Sequence, residues 1–452
     1  LCISDHDGGN QFIWKTLYKP FEAPKTEKIK NTGSNNLGIY SCDHKPYALI
    51  DGNVFEINLE TNDVSKINLS VPFERTLADE FSQMFYEAWA SVNENFYDEN
   101  YHGIDWSAMK KRYEIFLPYL ASRANLRTIL NDMLGELNAS HTAFFSNGTE
   151  EKTFYAMKTS ATGIFFKEND PFTVDRIVAG SPMDMKGKNV LPGDRLIAIN
   201  GVAIDPKINR EQYFISPKQA DELSLTFQRG SVSITVKIHP ITSVAFKALL
   251  YDEWISRNRQ MVDQLSRKKI GYVHMKNMSQ ASFDQFMIDM TTKAFEKDGL
   301  IVDLRYNTGG NVHDEVLSFL SQRAYMKWKY REGKFTPQPN FSPSDKPIVL
   351  LVNEQSLSDA ELTANGFQYL KLGKVIGTET YRWIIYTSGT FLVDGSFCRL
   401  PSWGCYTLDG KNIEKSGIVP DIMVKTTLKD RVEGKDPQIE TAVDEILEGM
   451  KK

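Results

Sequence analysis

Cysteine is scarce, with four residues in 452 (Cys2, Cys42, Cys398 and Cys405), and their spacing fits neither a zinc site nor a disulfide framework. Cys398 and Cys405 flank a turn-like Pro401-Ser402-Trp403-Gly404 and could pair across a hairpin, which leaves their disulfide state open. No two of the seven histidines have metal-ligand spacing, and neither a metal nor a cofactor is expected. No apolar run approaches the roughly 18 residues that a membrane span needs. Positive charge is not concentrated either. The formal net charge is −5, and no sustained basic block carries interleaved aromatics, which argues against a nucleic-acid partner. Lysine-rich stretches such as Lys25–Lys30 read as solvated surface. Residue 1 is Leu, and no charged-then-apolar leader follows it. A signal peptide is therefore expected to have been removed or to lie outside the chain.

Ordinary globular composition remains, with 41% hydrophobic and 25% charged residues. The length suits about three domains. Residues 1–70 read as all-β: a turn at Ser4–Gly9, a strand at Phe12–Tyr18, then Gly38–Cys42, Tyr47–Ile50 and Val54–Ile57 between turn pairs such as Asp51-Gly52. Four short strands cannot bury a core alone, which suggests the end of a β-propeller. The pattern changes near Pro72. Phe81, Phe85, Ala88, Trp89 and Val92 recur at helical spacing over Leu77–Phe96. A second helix is expected from Trp106 to about Leu120, with Asp105 as N-cap, and a third from about Asn125 to Leu137. Residues 73–145 thus read as a small helical domain that ends in Asn138-Ala139-Ser140-His141.

Residues 155–242 return to β character. Thr162–Phe166 opens a strand, Ala179-Gly180-Ser181-Pro182 a short helix, and Leu191–Gly201 a turn, strand and hairpin turn. That order resembles a PDZ domain in the permuted form of bacterial proteases. The resemblance implies that Gly163, Ile164, Phe165 and Phe166 offer backbone N–H groups and a free strand edge to a peptide. A small β-barrel without ligand is the plain alternative. Residues 245–452 alternate strands (Ile270–His274, Gly299–Leu304, Ile348–Val352, Lys374–Gly377) with amphipathic segments (Phe283–Phe295, Ala360–Leu370) and close with Pro437–Met450. Such alternation predicts an α/β layered domain with its site at the strand carboxyl ends.

Two of those ends carry the chemistry. Ile301-Val302-Asp303-Leu304-Arg305-Tyr306-Asn307-Thr308-Gly309-Gly310 is an apolar strand that breaks into a glycine-closed turn. Ile348–Val352 runs through Ser356-Leu357-Ser358-Asp359 into a helix. Together they can bring a hydroxyl nucleophile and backbone N–H donors to one rim of a sheet, as acyl transfer requires. With Ser140-His141 upstream, a serine hydrolase is the leading expectation. Of the remaining histidines, His102 reads as a turn residue, His274 lies on a strand, and His313 is close enough to the glycines to line a cleft.

The order of helical segment, PDZ-like segment and Val302–Gly310 motif resembles the tricorn and C-terminal-processing family of serine peptidases. Glu136-Leu137-Asn138-Ala139-Ser140-His141 is similar to the histidine motif of the tricorn branch, and Ile413–Asp421 to its glutamate motif. The resemblance implies a multidomain α+β protein with a β-propeller remnant, a helical domain, a PDZ-like domain and an α/β catalytic domain of the processing-peptidase, crotonase-like type. It implies Ser358 as nucleophile, His141 as base, and Glu414 acting through Ser140. Gly309 or Gly310, with the Asp359 N–H, would form the oxyanion hole. Processing peptidases of this superfamily use a lysine after the nucleophile. That position falls at or near Arg382-Trp383, neither of which can act as a base. The same pair replaces the glycines usual in tricorn-like sequences and is expected to line and narrow the cleft.

Arg323, Lys327, Lys329 and Arg331 follow the oxyanion glycines and suggest recognition of acidic residues or of a C-terminal carboxylate. The expected substrates are peptides or unfolded protein segments. A non-catalytic peptide-binding protein that keeps the fold is the alternative. Homo-oligomers are compatible with the resemblance, and it points to an extracytoplasmic bacterial location, with the cytoplasm as the alternative.

Overall fold

Four runs of almost wholly apolar residues, Ile270–His274, Gly299–Asp303, Ile348–Val352 and Lys374–Gly377, pair in parallel, and the short Ile422–Met423 adds a fifth strand at the edge. Both faces of this sheet are covered, which is why its strands read as continuous rather than alternating apolar runs. Val302, Leu350 and Val352 face the helices Gln280–Thr292, His313–Leu320 and Asp359–Tyr369, whereas Ile301, Val349 and Leu351 face Ser243–Leu265 and Pro437–Gly449. The computed structural model describes residues 1–6, 10–34, 36–69, 74–153, 157–218 and 220–451. It divides into two units, Leu1–Thr76 and Leu77–Lys452. Among the described residues no helix is long and apolar enough to cross a membrane.

The first unit contains a three-stranded antiparallel sheet (Cys2–His6, Asn10–Leu17, Lys25–Lys28) and a four-stranded one (Leu37–Cys42, Lys45–Ile50, Asn53–Asn58, Asp63–Lys66). Ile13, Ile29, Ala48, Ile50 and Ile57 make one core from both. Asp51 and Gly52 both adopt positive φ, the tight hairpin that an Asp-Gly pair signals. Ser4–His6, expected in a turn, belong to the first strand. Asp7–Gly9 and Pro72 lie outside the described residues.

In the second unit, helices Leu77–Asn95, Trp106–Glu114 and Arg123–Gly135 form where the spacing predicts. Asp105 caps the second, accepting from Ala108 N at 2.9 Å. That helix stops short of Leu120 because Pro118 has no N–H to continue the ladder, and Leu117–Tyr119 tightens into a 3₁₀ turn. The helical core is not self-contained. Leu392, Cys398 and Leu400, from a hairpin over 250 residues downstream, are buried in it with Phe85, Leu130 and Leu134.

Residues 158–242 carry an antiparallel sheet around Val174, Leu196, Leu225 and Phe227. Ala179–Pro182, expected to open a helix, forms turns instead. The longest helix, Ser243–Leu265, escapes the sequence pattern because it is apolar on two sides. Phe246 meets Phe165, while Val262 enters the core of the parallel sheet.

The expected turn at Pro401–Gly404 is continuous strand, Phe397–Gly404. Cys398 and Cys405 therefore lie seven residues apart along an extended segment, roughly 20 Å or more, beyond any disulfide's reach. All four cysteines are free.

Candidate active site

The strand Ile348–Val352 delivers Ser358 through a loop that its own polar groups lock. Ser356 is fully buried; its hydroxyl donates to Leu304 O at 2.8 Å and accepts from Asn353 N at 2.9 Å. Leu357 N donates to Asn307 O at 3.1 Å, tying the loop to the glycine turn. Of the two serines, one is therefore structural and the other, Ser358, lines a cavity of about 270 Å³ with Gly310, Asn311, Asp359, Leu362, Tyr386 and Arg399.

Ser358 sits at φ 56°, ψ −117° on the N-terminus of Asp359–Tyr369, a conformation that costs a non-glycine residue about 1–3 kcal/mol. Two features hold it there. Gly309 lies directly beneath it, and a Cβ at 309 would stand 2.7 Å from that of Ser358. Glu361, fully buried, accepts from Ser358 N at 3.0 Å, from the Thr380 hydroxyl, and from Arg382 N and Trp383 N at 2.9 and 2.8 Å. Burial pushes the Glu361 carboxyl upward, against the pull of these four donors. The Ser-x-x-Glu spacing of a capping box was the available signal for this residue.

The glycine turn differentiates its donors. Gly309 N donates to Asn307 Oδ1 at 2.9 Å, so it is already engaged. Gly310 N and Asp359 N have no acceptor among the described residues, and both residues line the Ser358 cavity. A Cβ at Gly310 would fall 2.1 Å from Met278 O, which reserves that position for glycine. The Asp359 carboxylate points away, accepting from Val312 N, His313 N and His313 Nδ1. His313, considered as a cleft residue, is thus the ion-pair partner of Asp359, and that carboxylate raises its pKa.

His141 follows the helix Arg123–Gly135. It precedes the strand Ala143–Phe145, which pairs with Phe397–Gly404 and places Ala143 opposite Arg399. The ring is buried, 4% exposed, and stacks on Trp383 with centroids 4.5 Å apart. Ser140 Oγ meets His141 Nδ1 at 3.0 Å. Glu414 reaches Ser140 through its backbone, accepting from Ser140 N at 2.7 Å, rather than through the hydroxyl, and its other oxygen accepts from Tyr97 OH at 3.2 Å. Tyr97 in turn meets His102 Nε2 at 2.6 Å, and His102 Nδ1 meets Leu137 O at 2.8 Å. His102 is the turn residue expected, at φ 55°, yet it buttresses Glu414 through Tyr97. Nothing in the sequence pattern marks that link. The His274 side chain is buried on its strand against Tyr251 and Trp254.

Burial behind Trp383, with the charge of Arg399 second, lowers the His141 pKa to about 4. Its imidazole is therefore neutral and able to accept a proton at any pH well above that. Trp383→Ala, by wetting the ring, should return this value toward the ordinary 6.5 or so. NMR titration of His141 checks this, and an unchanged midpoint would refute the shielding role. Arg382, by contrast, turns outward at φ 73° and pairs with Glu379 at 2.9 Å. Of the expected cleft pair, Trp383 reaches His141 with its side chain, whereas Arg382 contributes its backbone N–H to Glu361.

Gly163 and Ile164–Phe166 lie at the start of an edge strand that, among the described residues, pairs in its sheet with Asp170–Ile177. Guanidinium groups cover both aromatic rings, Arg176 over Phe165 at 4.3 Å and Arg210 over Phe166 at 4.1 Å. Lys327, Lys329 and Arg331 lie on or beside the strand Met326–Trp328 of an exposed two-stranded hairpin. Among the described residues no cluster of side chains could hold a metal.

Residues 269–424 match peptidase family S41 and residues 77–135 the tricorn protease C1 domain. The chain is 30% identical over 404 residues to a tricorn-like protease C-terminal subunit of Sulfurisphaera tokodaii, covering 86% of this chain and 45% of that protein. It is 26% identical over 443 residues to the tricorn protease of Thermoplasma acidophilum, covering 94% and 41% respectively. A crystal structure of the tricorn protease superposes with a TM-score of 0.81 at 23% identity, over 100% of this chain and 46% of that one. The chain thus spans less than half the length of these relatives.

Proposed function

Since residues 269–424 are a peptidase family S41 domain and residues 77–135 a tricorn protease C1 domain, so that the chain is a tricorn-like relative of these proteases, we propose that it is a serine peptidase acting through Ser358. The observation that carries this reading is the placing of a strained, cavity-lining serine beside two uncommitted backbone donors, Gly310 N–H and Asp359 N–H. Ser358 Oγ attacks the scissile carbonyl, and its proton passes to His141 Nε2. The oxyanion takes the two N–H groups, the C–N bond breaks, and the amine leaves with the proton. Water then releases the acyl group by the reverse path. Ser140 at Nδ1 holds the ring, and Glu414 holds Ser140 by its backbone.

On the same reading residues 155–242 are a PDZ-like domain, residues 245–452 a crotonase-like catalytic domain, and residues 1–70 the end of a β-propeller. Peptides or unfolded segments are the substrates.

The test is reaction of the folded chain with a fluorescent serine-directed phosphonate, with the adduct mapped by mass spectrometry. A single adduct on Ser358 is expected. A folded chain that takes no label there would overturn the reading in favour of a peptide-binding protein that keeps the fold.

A further inference from the structure

Around Ser358 nearly every charged side chain has its partner. The Asp359 carboxylate is bound by His313, Glu361 by four donors, Arg382 by Glu379, and Glu414 by Ser140 and Tyr97. Arg399 does not. Its Nε and Nη2 lie 3.3 Å from a single neutral acceptor, Thr387 Oγ1, and among the described residues no carboxylate lies within ion-pair distance of it. The side chain lines the same cavity of about 270 Å³ as Ser358, Gly310 and Asp359. Strand pairing on both sides, with Ala143 and with Gly389, fixes the backbone from which the side chain enters the cavity.

A half-buried guanidinium without a counter-charge is costly to maintain. The cost shows in its pKa, which burial lowers. The group that completes such a site is a carboxylate, which a guanidinium binds through two parallel hydrogen bonds. Leu362, Ile384 and Ile385 wall the cavity and suit the methylene stem of a short acidic side chain.

Building on Ser358 as the nucleophile, we propose that Arg399 binds a carboxylate of the substrate next to the scissile bond, so that the peptides cleaved are acidic at that position. The carboxylate is either an aspartate or glutamate side chain or the C-terminus of the peptide, and Arg399 recognises both by the same chemistry. The location adds a consequence for rate. The charge on Arg399 is one of the two causes that hold His141 in its neutral form. A substrate carboxylate offsets that charge and makes it easier for His141 to take the proton of Ser358. Acidic substrates therefore gain in kcat as well as in KM.

The experiment uses the full chain and a matched peptide set: an internal Asp against Asn, and a free C-terminal carboxylate against its amide. Binding is measured on Ser358→Ala by calorimetry, and turnover on the parent. The acidic member is expected to bind tighter and to be cleaved faster by about tenfold or more. Arg399→Gln should bring the ratio to about one, and Arg399→Lys, which keeps the charge, should retain part of it. Discrimination confined to the internal Asp assigns the side chain as the source, and discrimination confined to the free terminus assigns the chain end. Equal binding of the paired peptides to Ser358→Ala, or a ratio that survives Arg399→Gln in a chain with unchanged circular dichroism, overturns the proposal. The binding arm does not depend on turnover. Failure of phosphonate labelling therefore removes Ser358 as nucleophile while the binding comparison still decides Arg399.

Discussion

Ser358→Ala and His141→Ala should each lower peptide hydrolysis by about ten-thousand-fold to a million-fold in kcat, and the double variant should be no worse than either alone. On the proposed reading nucleophile and base act as one unit, so removing either would leave only the two backbone N–H donors and substrate binding. Gly310 N–H and Asp359 N–H are untouched by both substitutions, and a residual rate above that in water is expected from them. The pH dependence follows from the direction of the His141 shift. Its pKa is depressed to about 4 by burial and by Arg399. The neutral, proton-accepting form therefore dominates above that value, and activity falls only as the pH drops through it. Stopped assays across the acid range check the sign. A limb at the ordinary histidine position, or turnover in His141→Ala within tenfold of the parent, would remove His141 from the base role.

Glu361→Ala should be the most damaging substitution outside the reacting groups. The carboxylate collects Ser358 N, Arg382 N, Trp383 N and the Thr380 hydroxyl in a fully buried spot. Truncation strands three backbone donors where water does not reach, and each unsatisfied group costs about 1–3 kcal/mol. A loss of about 3–4 kcal/mol in urea unfolding of the chain is the expected sum after partial relaxation. Glu361→Gln should not rescue it, because one end of the amide presents N–H groups to donors. The functional loss follows from geometry. Ser358 loses the acceptor that holds its backbone at φ 56°, and Trp383 loses the anchor that sets it on His141. Labelling of Ser358 should slow by about a hundredfold or more, as misplacement of about 1 Å does in other sites. A Glu361→Ala chain that labels at the parent rate would show that the loop is held by other contacts.

The candidate site was legible in part, and residue type explains which part. Gly309-Gly310 and Ser358 stand out because a glycine-closed turn and a serine at a strand-to-helix junction are local patterns. Ser140-His141 and Glu414 came from resemblance to a family in which motifs recur in order, and the structure brings them together: Glu414 on Ser140 N, Ser140 on His141 Nδ1. Arg399 and Tyr97 were missed because nothing about an arginine on a strand or a tyrosine after a helix differs from surface or core residues of the same kind. Tyr97 meets a glutamate 317 residues away in sequence, and Arg399 shares its cavity with Gly310 and Ser358 from other elements. The Cys398–Cys405 pairing that the sequence left open is excluded for a related reason. Pro401 and Gly404 carry turn propensity, but pairing with Ile385–Phe391 on one side draws the segment straight.

Local patterning by itself determined the parallel strands, most of the helices and the two rims on which a nucleophile and its donors could sit, because hydrophobic period and turn chemistry act over a few residues. Only the tertiary structure decided the rest. It made Ser356 a buried strut and Ser358 the residue on the cavity, set Gly310 free while engaging Gly309, seated Trp383 on His141 and left Arg399 without a counter-charge. Each of these is settled by which distant groups share a small, water-poor volume. In such a volume an unmet hydrogen bond or charge costs several kcal/mol, whereas in the extended chain it costs almost nothing.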